Sequence, residues 1–141
     1  MNISFNKRFL FFLLICFLIY LQGIFKLPVM DRDEARFATA SKTMLIEKDF
    51  IDIKMVEEKR YKKPIGIYWT QSLMNSIFGS YPYDKISIYR LPSILGVFIS
   101  FFLIFVIIRN IENESIAFLT VFFLIFSFLT ISEIHQAKTD G

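Results

Sequence analysis

The sequence predicts an α-helical, multi-pass membrane protein with three transmembrane helices, and three observations lead there. Apolar residues fill 55% of the 141 positions, above the roughly 45–50% of an average soluble domain. They are segregated into three runs, which hold most of the 18 Phe. Charge is segregated in the opposite sense, with 12 of the 16 Lys and Arg and 9 of the 13 Asp and Glu falling in residues 26–90.

The first run, Phe9 to Phe25, is broken only by Gln22 and continues through Leu27 to Val29. It predicts a span over about 9–29, close to the ~20 residues a bilayer requires. A short basic start, Asn2 to Arg8, precedes it and no small-residue cleavage site follows, so it reads as a retained helix rather than a signal peptide. Leu91 to Ile108 and Ile116 to Ser132 predict the second and third spans, with "RNIENES" (109–115) as the tight turn between an antiparallel pair. Cys16 lies inside the first run without a partner, so no disulfide is expected.

Lys7, Arg8 and Arg109 flank the spans closely and favour a cytoplasmic N-terminus, whereas the basic residues of the loop argue the reverse. That loop exceeds the ~60 residues over which positive charge governs orientation, so the short flanks decide. Residues 30–90 then face outward. Their charge is nearly balanced, which gives no basis for a nucleic-acid partner.

Within the loop, Asp31 and Glu34 have capping-box spacing before a pattern that puts Phe37, Ser41, Met44 and Leu45 on one helical face. Acids at a helix N-terminus are favoured by the dipole alone, so their presence does not by itself indicate catalysis. "DFIDIKMVEEKRYKKP" (49–64) partly alternates and predicts a short strand or irregular hairpin. Pro64 suits the first turn of a second amphipathic helix carrying Ile65, Tyr68, Trp69, Ser72, Leu73 and Ser76, which Gly79 stops. Tyr68 and Trp69 are rings of the kind that settle at a membrane interface, so two interfacial helices are expected.

Three segments carry a resemblance. "DRDEARFA" (31–38), "KKPIGIYW" (62–69) and "YRLPSILG" (89–96) resemble, in order and in placement against the spans, motifs of polyprenyl-phosphate-sugar glycosyltransferases of the aminoarabinose transferase and protein O-mannosyltransferase type. The resemblance covers essentially the whole chain. It implies a partial GT-C architecture in the inner membrane of a bacterium, a polyprenyl-phosphate-linked sugar as donor, and transfer with inversion to a hydroxyl of lipid A, a protein or a glycan. Such transfer needs a base for the acceptor hydroxyl and a cation for the departing phosphate.

By that resemblance Asp33 is the base and Glu34 its acidic neighbour in the catalytic pair. Arg36 orients the carboxylate or meets phosphate, although a plain ion pair with Asp33 explains it equally well. Lys63 faces the lipid phosphate. Asp140, in an Ala-x-x-Asp pattern, is a second acidic position, the alternative being a solvated terminal acid. The chain departs from the family at Lys62, where aminoarabinose-type relatives carry Glu, and at Ile65, where a second Pro stands.

No cofactor is expected. His135, the one histidine, is a weak candidate for a divalent metal, since with Glu133 alone it falls short of the usual three protein ligands. Related enzymes continue through further spans, so the chain is expected to be an incomplete enzyme acting with a separately encoded C-terminal remainder. Two other readings stay open: a non-catalytic membrane interaction protein, and an inactive remnant.

Overall fold

The computed structural model describes residues 6–55, 58–59 and 63–137. Helix α1 runs Lys7–Lys26, where an apolar segment with no water to bond its backbone must pair internally. Asn6 caps it, accepting from the amides of Arg8 and Phe9 at 2.9 and 3.3 Å. The helix stops short of residue 29 because Leu27, which precedes Pro28, is extended (φ −79°, ψ 132°), the conformation a residue before proline prefers.

Helix α2 spans Arg32–Glu47, with Asp31 as N-cap and Lys48 left-handed at its end. Strands β1, Lys54–Met55, and β2, Glu58–Lys59, form a minimal antiparallel hairpin. Helix α3 follows over Gly66–Phe78, then α4 over Ile86–Ile111, α5 over Glu114–Ile125 and α6 over Phe128–Glu133. Helix α4 begins ahead of the apolar run because Ile88, Tyr89 and Arg90 are buried and continue its packing face; Pro92 sits inside it.

Among the described residues two helices, α1 and α4, are long and apolar enough to cross a bilayer. They pack antiparallel: Phe9 at the start of α1 stacks on Phe105 near the end of α4, while Phe17 and Tyr20 meet Phe98 edge-on. Helix α5 lies along them through Ala117, Val121 and Ile125, spaced one turn apart and fully buried. The opposite faces, including Phe11, Leu18, Ile99, Leu103 and Phe123, are exposed and apolar, as lipid-facing surfaces are.

The third apolar run does not form the single helix over 116–132 that its composition predicts. Helix α5 has 12 residues, which rise ~18 Å against a hydrocarbon core of ~30 Å. The break falls at Phe126–Ser127, where the Ser127 side chain caps α6 by accepting from the Thr130 amide at 3.3 Å. Serine competes with the helix for its own backbone in this way. The break frees the carbonyl of Ile125, and the Tyr20 hydroxyl donates to it at 2.6 Å. Helices α5 and α6 together run beside α1 from Asn6, whose amide meets Glu114, to Tyr20, whose carbonyl faces His135.

After α6 the chain turns back over the end of α1. The His135 ring stacks on Tyr20, with Nδ1 2.9 Å from the Ile131 carbonyl and Nε2 3.2 Å from that of Tyr20. A Cβ at Gly23 would come within 2.3 Å of His135 Nε2, so this close approach requires glycine. Gly23→Ala gains ~1 kcal/mol of helix propensity and costs ~1–3 kcal/mol in displacing the ring. We expect a net loss on the order of 1 kcal/mol, read as a lower unfolding midpoint in detergent micelles.

Helix α3 points its polar face inward. Tyr68, Gln71, Ser72 and Asn75 are buried, whereas Trp69, Leu73, Ile77 and Phe78 are exposed. The inward face is held by hydrogen bonds: Ser41 Oγ donates to Gln71 Oε1 at 2.7 Å, Ser72 Oγ to the Ser41 carbonyl at 3.2 Å, and Gln71 Nε2 to the Ala137 carbonyl at 3.1 Å. Beneath it Phe37, Ala40, Met44, Ile53 and Tyr68 make a second, smaller core.

Candidate functional site at the loop end of the helices

The site grows from the first turn of α2. Asp31 caps that turn by accepting from the Asp33 amide at 3.2 Å. The two acids that follow Arg32, Asp33 and Glu34, turn different ways. The Asp33 side chain is 51% exposed and accepts from Arg36 Nη1 at 2.9 Å, an i, i+3 pair along the helix. Glu34 is fully buried and reaches back past the cap to accept from the Met30 amide at 3.0 Å.

Arg90 meets Glu34 from α4 and is itself fully buried. Its Nε donates to Glu34 Oε1 at 2.7 Å and its Nη2 to Oε2 at 3.1 Å. The remaining guanidinium hydrogens go to the carbonyls of Ile24, Leu27 and Pro28, at 3.1, 2.8 and 2.7 Å. Those carbonyls end α1 or follow it, where helical partners run out. The Ala137 amide closes the set, donating to Glu34 Oε1 at 2.9 Å.

Burial pushes the Glu34 carboxyl up, but the hydrogen bonds from Arg90, Met30 and Ala137, with the Arg90 charge, outweigh it and hold the group below its ordinary value. A carboxylate lowered in the folded state contributes stability that is complete above the ordinary carboxylate range and is lost as pH falls through the lowered value. We therefore expect an acid transition below the ordinary carboxylate range, followed by the fluorescence of Trp69, the one tryptophan. Glu34→Gln should flatten that dependence.

The other expected site residues are placed as follows. Lys63 is exposed at a bend before Pro64, and α3 starts at Gly66 rather than at the proline. No described hydrogen bond ties Lys63 to Asp33 or Glu34. Asp140 and Lys62 lie outside the described residues. His135 directs both ring nitrogens at backbone carbonyls, and among the described residues no three His, Cys, Asp or Glu side chains gather as a metal site would need. Arg90 belongs to the "YRLPSILG" segment (89–96), where the sequence alone assigns it no role. Its signal in the sequence is a lone charge at the mouth of an apolar run, where an ionisable group needs a partner.

A family model described as dolichyl-phosphate-mannose-protein mannosyltransferase matches residues 62–141. The chain belongs to this family. The matched stretch holds Lys63, Arg90 and Asp140, and it begins beyond α2. The chain is also 28% identical over 101 residues to undecaprenyl phosphate-alpha-4-amino-4-deoxy-L-arabinose arabinosyl transferase 2 of Proteus mirabilis (strain HI4320). That alignment covers 71% of this chain and 18% of the relative, so the chain spans about a fifth of the relative's length. No solved structure matches. The resemblance carried by the three motifs is thereby borne out, and the family together with the apolar α1 and α4 makes this an integral membrane protein.

Proposed function

We propose that the chain forms the donor-lipid end of a transferase that moves a sugar from a polyprenyl phosphate to a hydroxyl acceptor with inversion. In this reading α1, α4 and the broken α5–α6 cross the membrane three times. Residues 30–90 face outward, and α3 lies on the surface with Trp69, Leu73, Ile77 and Phe78 in the lipid. The observation that carries the reading is a half-exposed Asp33 carboxylate on a helix turn pinned at the end of the spanning helices.

Asp33 takes the proton from the acceptor hydroxyl as its oxygen bonds to the anomeric carbon. The bond from that carbon to phosphate breaks, and its electron pair leaves with the lipid phosphate. Arg36, 2.9 Å from Asp33, orients the carboxylate. Lys63 neutralises the phosphate as a point charge. Asp140 supplies a second acid; Ala137, three residues before it, is bonded to Glu34, the neighbour of Asp33. The segments that relatives carry beyond this length would supply the acceptor site, as a further part of the protein or as a separate chain.

The exposed stripe on α3 also favours a second reading, a non-catalytic protein that binds the membrane surface. The two separate on donor-lipid binding in nanodiscs. The transferase reading expects the polyprenyl-phosphate-linked sugar, a phosphodiester, to be preferred over phosphatidylglycerol, a diester of the same charge, and Lys63→Ala to weaken that binding by about tenfold, on the order of one charge-assisted contact. Equal affinity for the two lipids would favour the surface-binding protein.

A further inference from the structure

The polar groups around Arg90 and Glu34 match one another completely. A guanidinium has five N–H donors, and each of those in Arg90 has an acceptor: two on Glu34, and one each at Ile24, Leu27 and Pro28. A carboxylate offers about four lone-pair positions. Those of Glu34 are taken by Arg90 Nε and the Ala137 amide on Oε1, and by Arg90 Nη2 and the Met30 amide on Oε2.

Three regions distant in sequence meet on this one pair: the passage from the exit of α1 into the first turn of α2, the start of α4, and the segment after α6. The neighbouring Asp33 makes a half-exposed pair with Arg36, and a pair of that kind by itself fixes little. We propose that Glu34 and Arg90 are positioning residues, an interlock that sets where the first turn of α2 presents Asp33 and that docks the segment ending at Ala137 beside it. Glu34 acts through Asp33 and does not touch the substrate. This inference rests on the transferase reading for its catalytic consequence, and on geometry alone for the docking.

Glu34→Gln is the informative change, since it is nearly isosteric and turns one acceptor oxygen into a donor that faces other donors. Two measurements on protein in nanodiscs are paired. The first is hydrogen exchange at the Ala137 amide, which the interlock protects; it is expected to speed up by tenfold or more. The second is sugar transfer with the remaining segments of the relatives supplied. A misplaced Asp33 should lower kcat by roughly tenfold to a hundredfold and leave the KM for the donor within about twofold, while Lys63→Ala shifts KM instead. Arg90→Lys keeps the charge but not the five donors, so it should not restore protection.

A fall in kcat with Ala137 exchange unchanged would overturn the proposal, because Glu34 would then act on the reaction directly. So would a rise in donor KM as large as that of Lys63→Ala. If the wild-type assembly transfers no sugar, the transferase reading fails and the catalytic consequence with it; unchanged Ala137 exchange would then sink the docking as well.

Discussion

Arg90→Met is expected to unfold the loop structure at neutral pH while α1 and α4 stay inserted. The substitution leaves the Glu34 carboxylate buried with no cation, and it strips a donor from each of the Ile24, Leu27 and Pro28 carbonyls. Removing one partner of a buried pair costs about 3–5 kcal/mol, a large share of the roughly 5–15 kcal/mol that holds an ordinary domain together. Trp69 reports the change, because its indole donates to the Phe50 carbonyl at 2.7 Å and ties α3 to the chain after α2. Adding Glu34→Met should recover part of the loss, as apolar replacement of both partners often does. Recovery stays incomplete, since the Met30 and Ala137 amides then lose the acceptor they share. A double-mutant cycle read from unfolding midpoints checks both statements. A single Arg90→Met variant as stable as the wild type would mean that the guanidinium is not what holds these segments.

The features readable in the sequence were local ones. An apolar run flanked by Lys and Arg is sufficient to specify α1, and Asp31 ahead of an amphipathic pattern specifies the start of α2, with Phe37, Ser41 and Met44 on its buried face. The orientation of α3 was not readable. Periodicity tells which residues share a face but not which face turns inward, and here Gln71, Ser72 and Asn75 do so because Ser41 and the Ala137 carbonyl meet them. Composition also hid the break in the third run. Ser127 stands among phenylalanines, and its effect depends on Tyr20, more than a hundred residues away, accepting the task of bonding the freed Ile125 carbonyl. For the candidate site, the motif residues were legible while their division of labour was not. Adjacent Asp33 and Glu34 read as a pair, yet Glu34 faces inward because Arg90, 56 residues on, gives it a partner there.

Asp33→Asn should abolish most sugar transfer and leave the fold intact, whereas Arg90→Met unfolds the loop that carries the site. Asparagine keeps the shape and still accepts a hydrogen bond from Arg36, so weakening the half-exposed ion pair with Arg36 costs no more than about 1 kcal/mol. What disappears is a group able to take a proton from the acceptor hydroxyl, a contribution typically of about 10²–10⁴-fold in rate. The measurement is transfer from a polyprenyl-phosphate-linked sugar by the chain together with the segments its relatives carry, with Trp69 fluorescence confirming the fold in the same samples. The contrast with Glu34 sharpens the test. If the exposed carboxylate is the base, Asp33→Asn lowers kcat without altering exchange at the Ala137 amide, while Glu34→Gln changes both. Transfer by Asp33→Asn at the wild-type rate would remove this carboxylate from the chemistry and leave the acids of α2 with structural roles alone, at its own first turn and in the pair with Arg90.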